Sequence, residues 1–309
     1  MRQAAAAAAA ASPAIHTSGL TKVYSARTVL SGLTMTVERG EVMGFLGPNG
    51  AGKTTAVKCL LGLVAPTSGE AWVLGRHPGD KNARRRIGYL PELFRYQSWL
   101  TAREVLQVHC ELACIEVGRR HAEIRRALEI VDLAGRADSR VAEFSKGMQQ
   151  RLGLAVALLG EPELVLLDEP TSALDPVGRH DVREIIRGLR EQGTAVFLNS
   201  HLLTEVEMVC DRVVMIDRGQ VIASGSLDQL LGGDTCRIRV NGLSPAQRLE
   251  AAGAARLEDD GEWMTLRGLA PEEVPELVAR LVALGGRVYA VEPRRQTLEE
   301  RFLEELAAE

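Results

Sequence analysis

Long apolar runs, an excess of positive charge and a paired set of cysteines are all missing from this 309-residue chain. A membrane-crossing helix needs about 18 or more consecutive apolar residues, and the nearest candidate, Leu152–Leu159, is far too short. If the protein works at a membrane, another chain must cross it. Lys+Arg number 37 against 41 Asp+Glu, for a formal net charge of -4. Such a chain has no basic field for sequence-blind binding of nucleic acid, and no nucleic-acid partner is expected. Five cysteines, an odd number, point to reduced thiols in the cytosol. Met1-Arg2 and the alanine run that follows superficially resemble a secretory signal. Alanine is barely hydrophobic and no leucine-rich core follows, so residues 1–14 read as a dispensable low-complexity leader.

What is present is a core-forming composition, 46% hydrophobic and 25% charged. That excludes disorder as the whole answer, and the length allows one large or two ordinary domains. Ile15–Tyr24 and Val29–Val37 alternate and carry β-branched residues, predicting antiparallel strands. Val42–Leu46 is a short apolar strand, followed by a Gly/Pro/Asn-rich turn and a helix from Lys53 to about Leu63. Residues 102–133 have helical periodicity. Leu164–Leu167 and Ala195–Leu198 are apolar on both faces, as central parallel strands must be. Val213–Ile216 and Val221–Ser224 predict a hairpin through Asp217-Arg218-Gly219-Gln220. The composition then shifts. A first domain over 15–230 precedes a small α+β domain over 235–309, with strands at Cys236–Val240, Arg256–Glu258, Trp263–Leu266 and Arg287–Val291. Its helices are expected at Pro245–Ala252, Glu272–Leu284 and Thr297–Leu306.

Gly47-Pro48-Asn49-Gly50-Ala51-Gly52-Lys53-Thr54 satisfies the phosphate-loop pattern G-x-x-x-x-G-K-[ST]. Its glycines let successive N–H groups turn inward towards a phosphate, and the following helix adds its positive dipole end. Lys53 supplies a cation for the β- and γ-phosphates, the Thr54 hydroxyl is a ligand for Mg²⁺, and Thr55 completes the nucleotide contacts. Leu164-Val165-Leu166-Leu167-Asp168-Glu169 supplies the second half. Its strand delivers Asp168 to hold Mg²⁺ through water, and Glu169 is placed to polarise an attacking water as general base. Together these segments predict a P-loop NTPase of the α/β class.

Phe144-Ser145-Lys146-Gly147-Met148-Gln149-Gln150-Arg151 precedes an apolar helix that Ser145 could cap. This segment resembles the signature of ATP-binding-cassette (ABC) ATPases, usually Leu-Ser-Gly-Gly-Gln. The resemblance extends over roughly Ile15–Ser226 and takes in Tyr24 at the adenine-stacking position, Ser172-Ala173-Leu174-Asp175 after the catalytic acid, and His201. It implies a cassette with an antiparallel β subdomain and an α-helical subdomain. It also implies a head-to-tail dimer, of two copies or of close paralogues, sandwiching two ATP molecules. The phosphate loop, Asp168, Glu169 and His201 of one subunit would face Ser145 and Gly147 of the other, with Asp175 beside the nucleotide. His201 would contact the γ-phosphate.

Two departures from the common pattern stand out. Lys146 and Met148 replace glycine and glutamine, a form similar to exporter ATPases of the daunorubicin-resistance type. Glu92, in Tyr89-Leu90-Pro91-Glu92, stands where many relatives have a metal-contacting glutamine; it keeps the oxygen ligand and adds a charge. The closing segment Gln296–Leu303 also resembles the exporter branch. The resemblance therefore implies an ATP-hydrolysing subunit on the cytoplasmic side of the membrane, driving a separate transmembrane permease, most readily for export. An importer ATPase, or a soluble ABC machine acting on ribosomes or DNA, is the alternative. The single cassette, without long coiled-coil or zinc insertions, disfavours the soluble machine.

Overall fold

The computed structural model describes residues 12–307 apart from 173, 232–234, 254, 270 and 295. Nearly all of the expected leader lies outside the described residues. The chain divides into two compact units, Met1–Ser224 and Gly225–Glu309, so residues 225–230 fall in the second rather than the first.

The first unit begins with antiparallel strands, Ile15–Tyr24 (β1) and Arg27–Val37 (β2), in which Ile15 lies opposite Val37. Val42–Leu46 (β3) leads into the Lys53–Leu60 helix. That helix stops short of Leu63 because Gly62 takes φ +65, where an added Cβ would lie 2.4 Å from the Gly79 nitrogen. Ser68–Val73 (β4), which the sequence reading does not place, returns to β1 to complete a sheet of order β2-β1-β4.

Ile87–Leu90 (β5), Leu164–Asp168 (β6), Ala195–Asn199 (β7), Arg212–Asp217 (β8) and Gln220–Ser226 (β9) join β3 in a six-stranded sheet. Its order is β5-β6-β7-β3-β8-β9, and pairing is parallel from β5 to β8. Every residue of β3, β6 and β7 is buried, which explains why their sequences stay apolar up to the closing Asp168 of β6 and Asn199 of β7. The β8–β9 connection carries Arg218 at φ 43 and Gly219 at φ 83, the two positive values that fit a tight hairpin to the twist of its strands. Parallel pairing sends the carboxyl ends of β3, β6 and β7 to one edge, where ligands bind in open α/β sheets.

Three helices, Ala102–Leu112, Val117–Ile130 and Lys146–Ala157, pack on one another as the helical subdomain. A reciprocal cap between Thr101 and Glu104 starts the first, and its buried face repeats at Ala102, Val105, Leu106 and Cys110. Pro176–Glu191 forms a further helix, capped by Asp175 and burying Val182, Ile185, Ile186 and Leu189.

The second unit is built on Thr235–Asn241 (β10), Arg256–Asp259 (β11), Trp263–Arg267 (β12) and Arg287–Arg294 (β13). They form an antiparallel sheet of order β11-β12-β10-β13. Alternation along β10 buries Cys236, Ile238 and Val240 against Met264, Leu266, Leu277 and Leu281. Helices Pro245–Ala252 and Val274–Ala283 supply part of that core, and Leu298–Ala307 closes the chain. Asp260 accepts hydrogen bonds from the N–H groups of Glu262 and Trp263, closing the turn between β11 and β12. Truncating the fully buried Ile238 to alanine should destabilise this unit by about 2–5 kcal/mol. Hydrogen exchange in β10, β12 and β13 should rise accordingly; unchanged protection would contradict the core assigned here.

Candidate active site

The turn after β3 wraps closely because its glycines lack side chains. A Cβ on Gly47 would lie 2.3 Å from the Ile216 carbonyl oxygen, and one on Gly52, at φ +107, 2.5 Å from that of Val29. Gly50 has φ +84 and nothing within 4 Å of its added Cβ. The loop therefore packs against neighbouring backbone on one side and is open on the other. Lys53, buried at the start of its helix, donates from Nζ to Gly47 O at 2.7 Å and Pro48 O at 3.3 Å.

Two strands away in the sheet, β6 carries Asp168 to the same edge. The carboxyl is 2% exposed and accepts a hydrogen bond from Asn199 Nδ2, on the strand between. Glu169 is also buried and adopts φ +54, uncommon for a residue with a side chain. Its N–H donates to Asn199 O at 2.8 Å, which ties this strained turn to β7. His201 Nδ1 approaches Glu169 Oε2 to 2.7 Å, but off the line of a hydrogen bond. Among the described residues that oxygen has no aligned donor.

These groups line one cavity of about 420 Å³. Gly47, Pro48, Asn49, Gly50, Gly52, Lys53, Thr54 and Thr55 form its floor, and Glu92, Asp168, Glu169, Asn199 and His201 surround the rest. Tyr24 does not line it; it lies 43% exposed at the end of β1, with Lys22 Nζ 4.9 Å from its ring centre, while Val29 does reach the wall. Nor do Ser145, Gly147 and Asp175. They line a separate depression with Lys146, Met148 and Leu174. There Ser145 caps the Lys146–Ala157 helix by accepting from Met148 N at 3.2 Å, and Asp175 caps the Pro176–Glu191 helix by accepting from Gly178 N at 2.8 Å. The two sets of sequence-predicted residues thus occupy two different surfaces of the same unit.

A family model for ABC transporters matches residues 30–172. An uncharacterized ABC transporter ATP-binding protein of Nostoc sp. is 39% identical over 303 residues, covering 94% of this chain and 89% of the relative. The bacitracin transport ATP-binding protein BcrA of Bacillus licheniformis is 41% identical over 219 residues, 70% of this chain and 71% of that one. The chain belongs to the ABC transporter ATP-binding protein family. The Nod factor export ATP-binding protein I of Rhizobium meliloti is 36% identical, with 84% of this chain and 80% of the relative aligned. A solved ATP-binding subunit of an ABC transporter superimposes with a TM-score of 0.64 at 32% identity, covering 70% of this chain and 91% of that one. The P-loop α/β fold with its antiparallel and helical subdomains, extended by the C-terminal β sheet, is therefore that of an ABC ATPase, whose hydrolysis of ATP is coupled to transport.

Charge in this ABC site is held at a cost. Burial lowers the Lys53 pKa, opposed by the carboxylates of Glu169, Asp168 and Glu92. Burial raises that of Asp168; the Asn199 hydrogen bond opposes the shift, Glu92 and Glu169 add to it, and Lys53 partly offsets it. Asn199 is the site residue that sequence reasoning missed. Its only signal is a polar side chain ending an apolar strand next to one that ends in aspartate. Because Asp168 binds its proton more tightly when folded, it draws stability down as pH rises from the unfolded carboxyl value, about 3.9, through the folded one. Asp168→Asn removes that penalty. Calorimetry should give the nucleotide-free variant a higher Tm than the parent at neutral pH, the gap closing towards pH 4. A lower Tm at neutral pH would contradict the electrostatic account.

Proposed function

We propose that this chain is the motor subunit of an exporter, binding Mg²⁺–ATP on the β3–β6–β7 edge and hydrolysing it in a composite site completed by a second ATPase subunit. The observation that carries the reading is the separation of the two surfaces. Lys53, Asp168, Glu169 and His201 share one cavity, whereas Ser145, Gly147 and Asp175 share another. A small hydroxyl and a glycine at a helix N-terminus form a donor set for a γ-phosphate, and head-to-tail pairing would bring it to the partner's phosphate loop. The partner ATPase is a second copy or a close paralogue.

In this reading the loop from Gly47 to Thr55 cradles the phosphates and Lys53 pairs with their β- and γ-oxygens. The three groups assigned to the metal fit a hard cation, since all are oxygen donors: the Thr54 hydroxyl and the carboxylates of Asp168 and Glu92, each lining the cavity. These residues would hold Mg²⁺, which when bound neutralises phosphate charge. Glu169 Oε2, buried and without an aligned donor among the described residues, would accept a proton from the attacking water, with His201 Nδ1 2.7 Å away. His201, half-exposed beside it, is positioned to contact the γ-phosphate. Tyr24 would stack on the adenine from outside the phosphate cavity.

Among the described residues no helix is long and apolar enough to cross a membrane, so transport requires a separate permease. The protein then acts at the cytoplasmic face, held there by that partner. The relative named for Nod factor export supports the outward direction. The test is Glu169→Gln in the full chain. Turnover should fall by about 10²–10⁴-fold with ATP binding retained. Purified with ATP from gently solubilised membranes, the variant should carry a stoichiometric polytopic membrane protein. Normal turnover would remove the general-base role, and ribosomal proteins or DNA in place of a membrane protein would remove the transporter reading.

A further inference from the structure

The strand order leaves one residue between the two halves of the site. β7 separates β6 from β3, and it ends at Asn199, which lies in register with Asp168. Asn199 is 1% exposed and makes two distinct attachments. Its Nδ2 donates to Asp168 Oδ1, fixing which way the carboxylate faces. Its backbone oxygen accepts from Glu169 N, holding the φ +54 turn that aims the adjacent acid. A third group is left over. Asn199 Oδ1 is buried and has no hydrogen-bond partner among the described residues, although the residue lines the cavity that holds Lys53 and Thr54. An unsatisfied buried carbonyl oxygen is costly, and native structures keep one where a ligand or water completes it.

We propose that Asn199 is a positioning residue for the metal half of the site: Nδ2 orients Asp168, and Oδ1 accepts a hydrogen bond from a water bound to Mg²⁺. The inference rests on the Mg²⁺–ATP reading and deepens it. An amide suits this place because it offers a donor to the carboxylate and an acceptor to a water at once. Leucine matches its bulk and offers neither; serine cannot offer both at the same reach.

The experiment uses the full chain as Asn199→Leu, with Asn199→Ser as the gentler change should leucine impair folding. A fluorescent ATP analogue is titrated in EDTA and again with rising Mg²⁺, and Mn²⁺ binding to the nucleotide complex is followed by electron paramagnetic resonance. Affinity in EDTA should stay within about twofold of the parent. The Mg²⁺ concentration giving half of the metal-dependent gain should rise about 10–100-fold, the usual effect of losing a group that orients a metal ligand. The Mn²⁺ spectrum should change as well. Parent-like Mg²⁺ dependence in the variants, or weaker binding in EDTA with the metal response intact, would overturn the assignment and leave the ATPase reading standing. Absence of any metal-dependent gain in the parent chain would overturn both.

Discussion

Buried charge on one sheet edge is the constraint around which the first unit is organised. Lys53, Asp168 and Glu169 are each less than a tenth exposed. An isolated ion so placed would lose its hydration without return. Here the ammonium is held by two loop carbonyls and the aspartate by an amide, and the neighbouring charges act on both: the carboxylates on Lys53, and Glu169 and Lys53 on Asp168. The arrangement needs the parallel register of β3, β6 and β7 to bring the groups together, and the apolar cores of those strands to make the edge rigid. Charges arranged this way are poised to act on a polyanion, since phosphate and a divalent cation would complete the balance that the side chains leave uneven.

The same economy explains why the loop tolerates so little. Gly47 and Gly52 sit where a single added carbon would strike backbone oxygens of β8 and β2. Backbone cannot move aside as a side chain can, so the loop, the strand behind it and the hairpin beside it are locked together. The signature surface is built on a different principle. Ser145 and Asp175 are occupied as helix caps within the chain, so their geometry is set before any partner arrives. On the proposed reading, the Ser145 hydroxyl and the N–H groups at its helix start form a preformed array that costs little to dock.

The parts legible in the sequence are those whose physics is local. The phosphate loop, the Asp168-Glu169 pair and the Ser145 cap each occupy a few consecutive residues, and each appears where its pattern indicates. Elements that depend on distant partners were harder to see. Ser68–Val73 begins with three exposed residues and no alternation, and Gly69 is shaped by contact with Gly19, about fifty positions earlier. The Pro176–Glu191 helix, by contrast, carries its own local signals in a cap, a leading proline and a regular buried face. Asn199 became visible only through the β6–β7 register, because nothing in a strand's own sequence says which neighbour will lie beside it. Tyr24 shows the reverse case: the resemblance points to it for its ring, yet it lies exposed at the end of β1 and does not line the phosphate cavity.

The central claim is that one chain holds only half of each working site. Its most direct test is the mass in solution of Glu169→Gln, measured by light scattering with and without ATP and Mg²⁺, beside the same protein also carrying Ser145→Arg. The account predicts a monomer without nucleotide, a doubled mass with it, and no doubling once Ser145 is replaced. Nucleotide binding by a chain that stays monomeric at every concentration, or a dimer indifferent to Ser145, would contradict it.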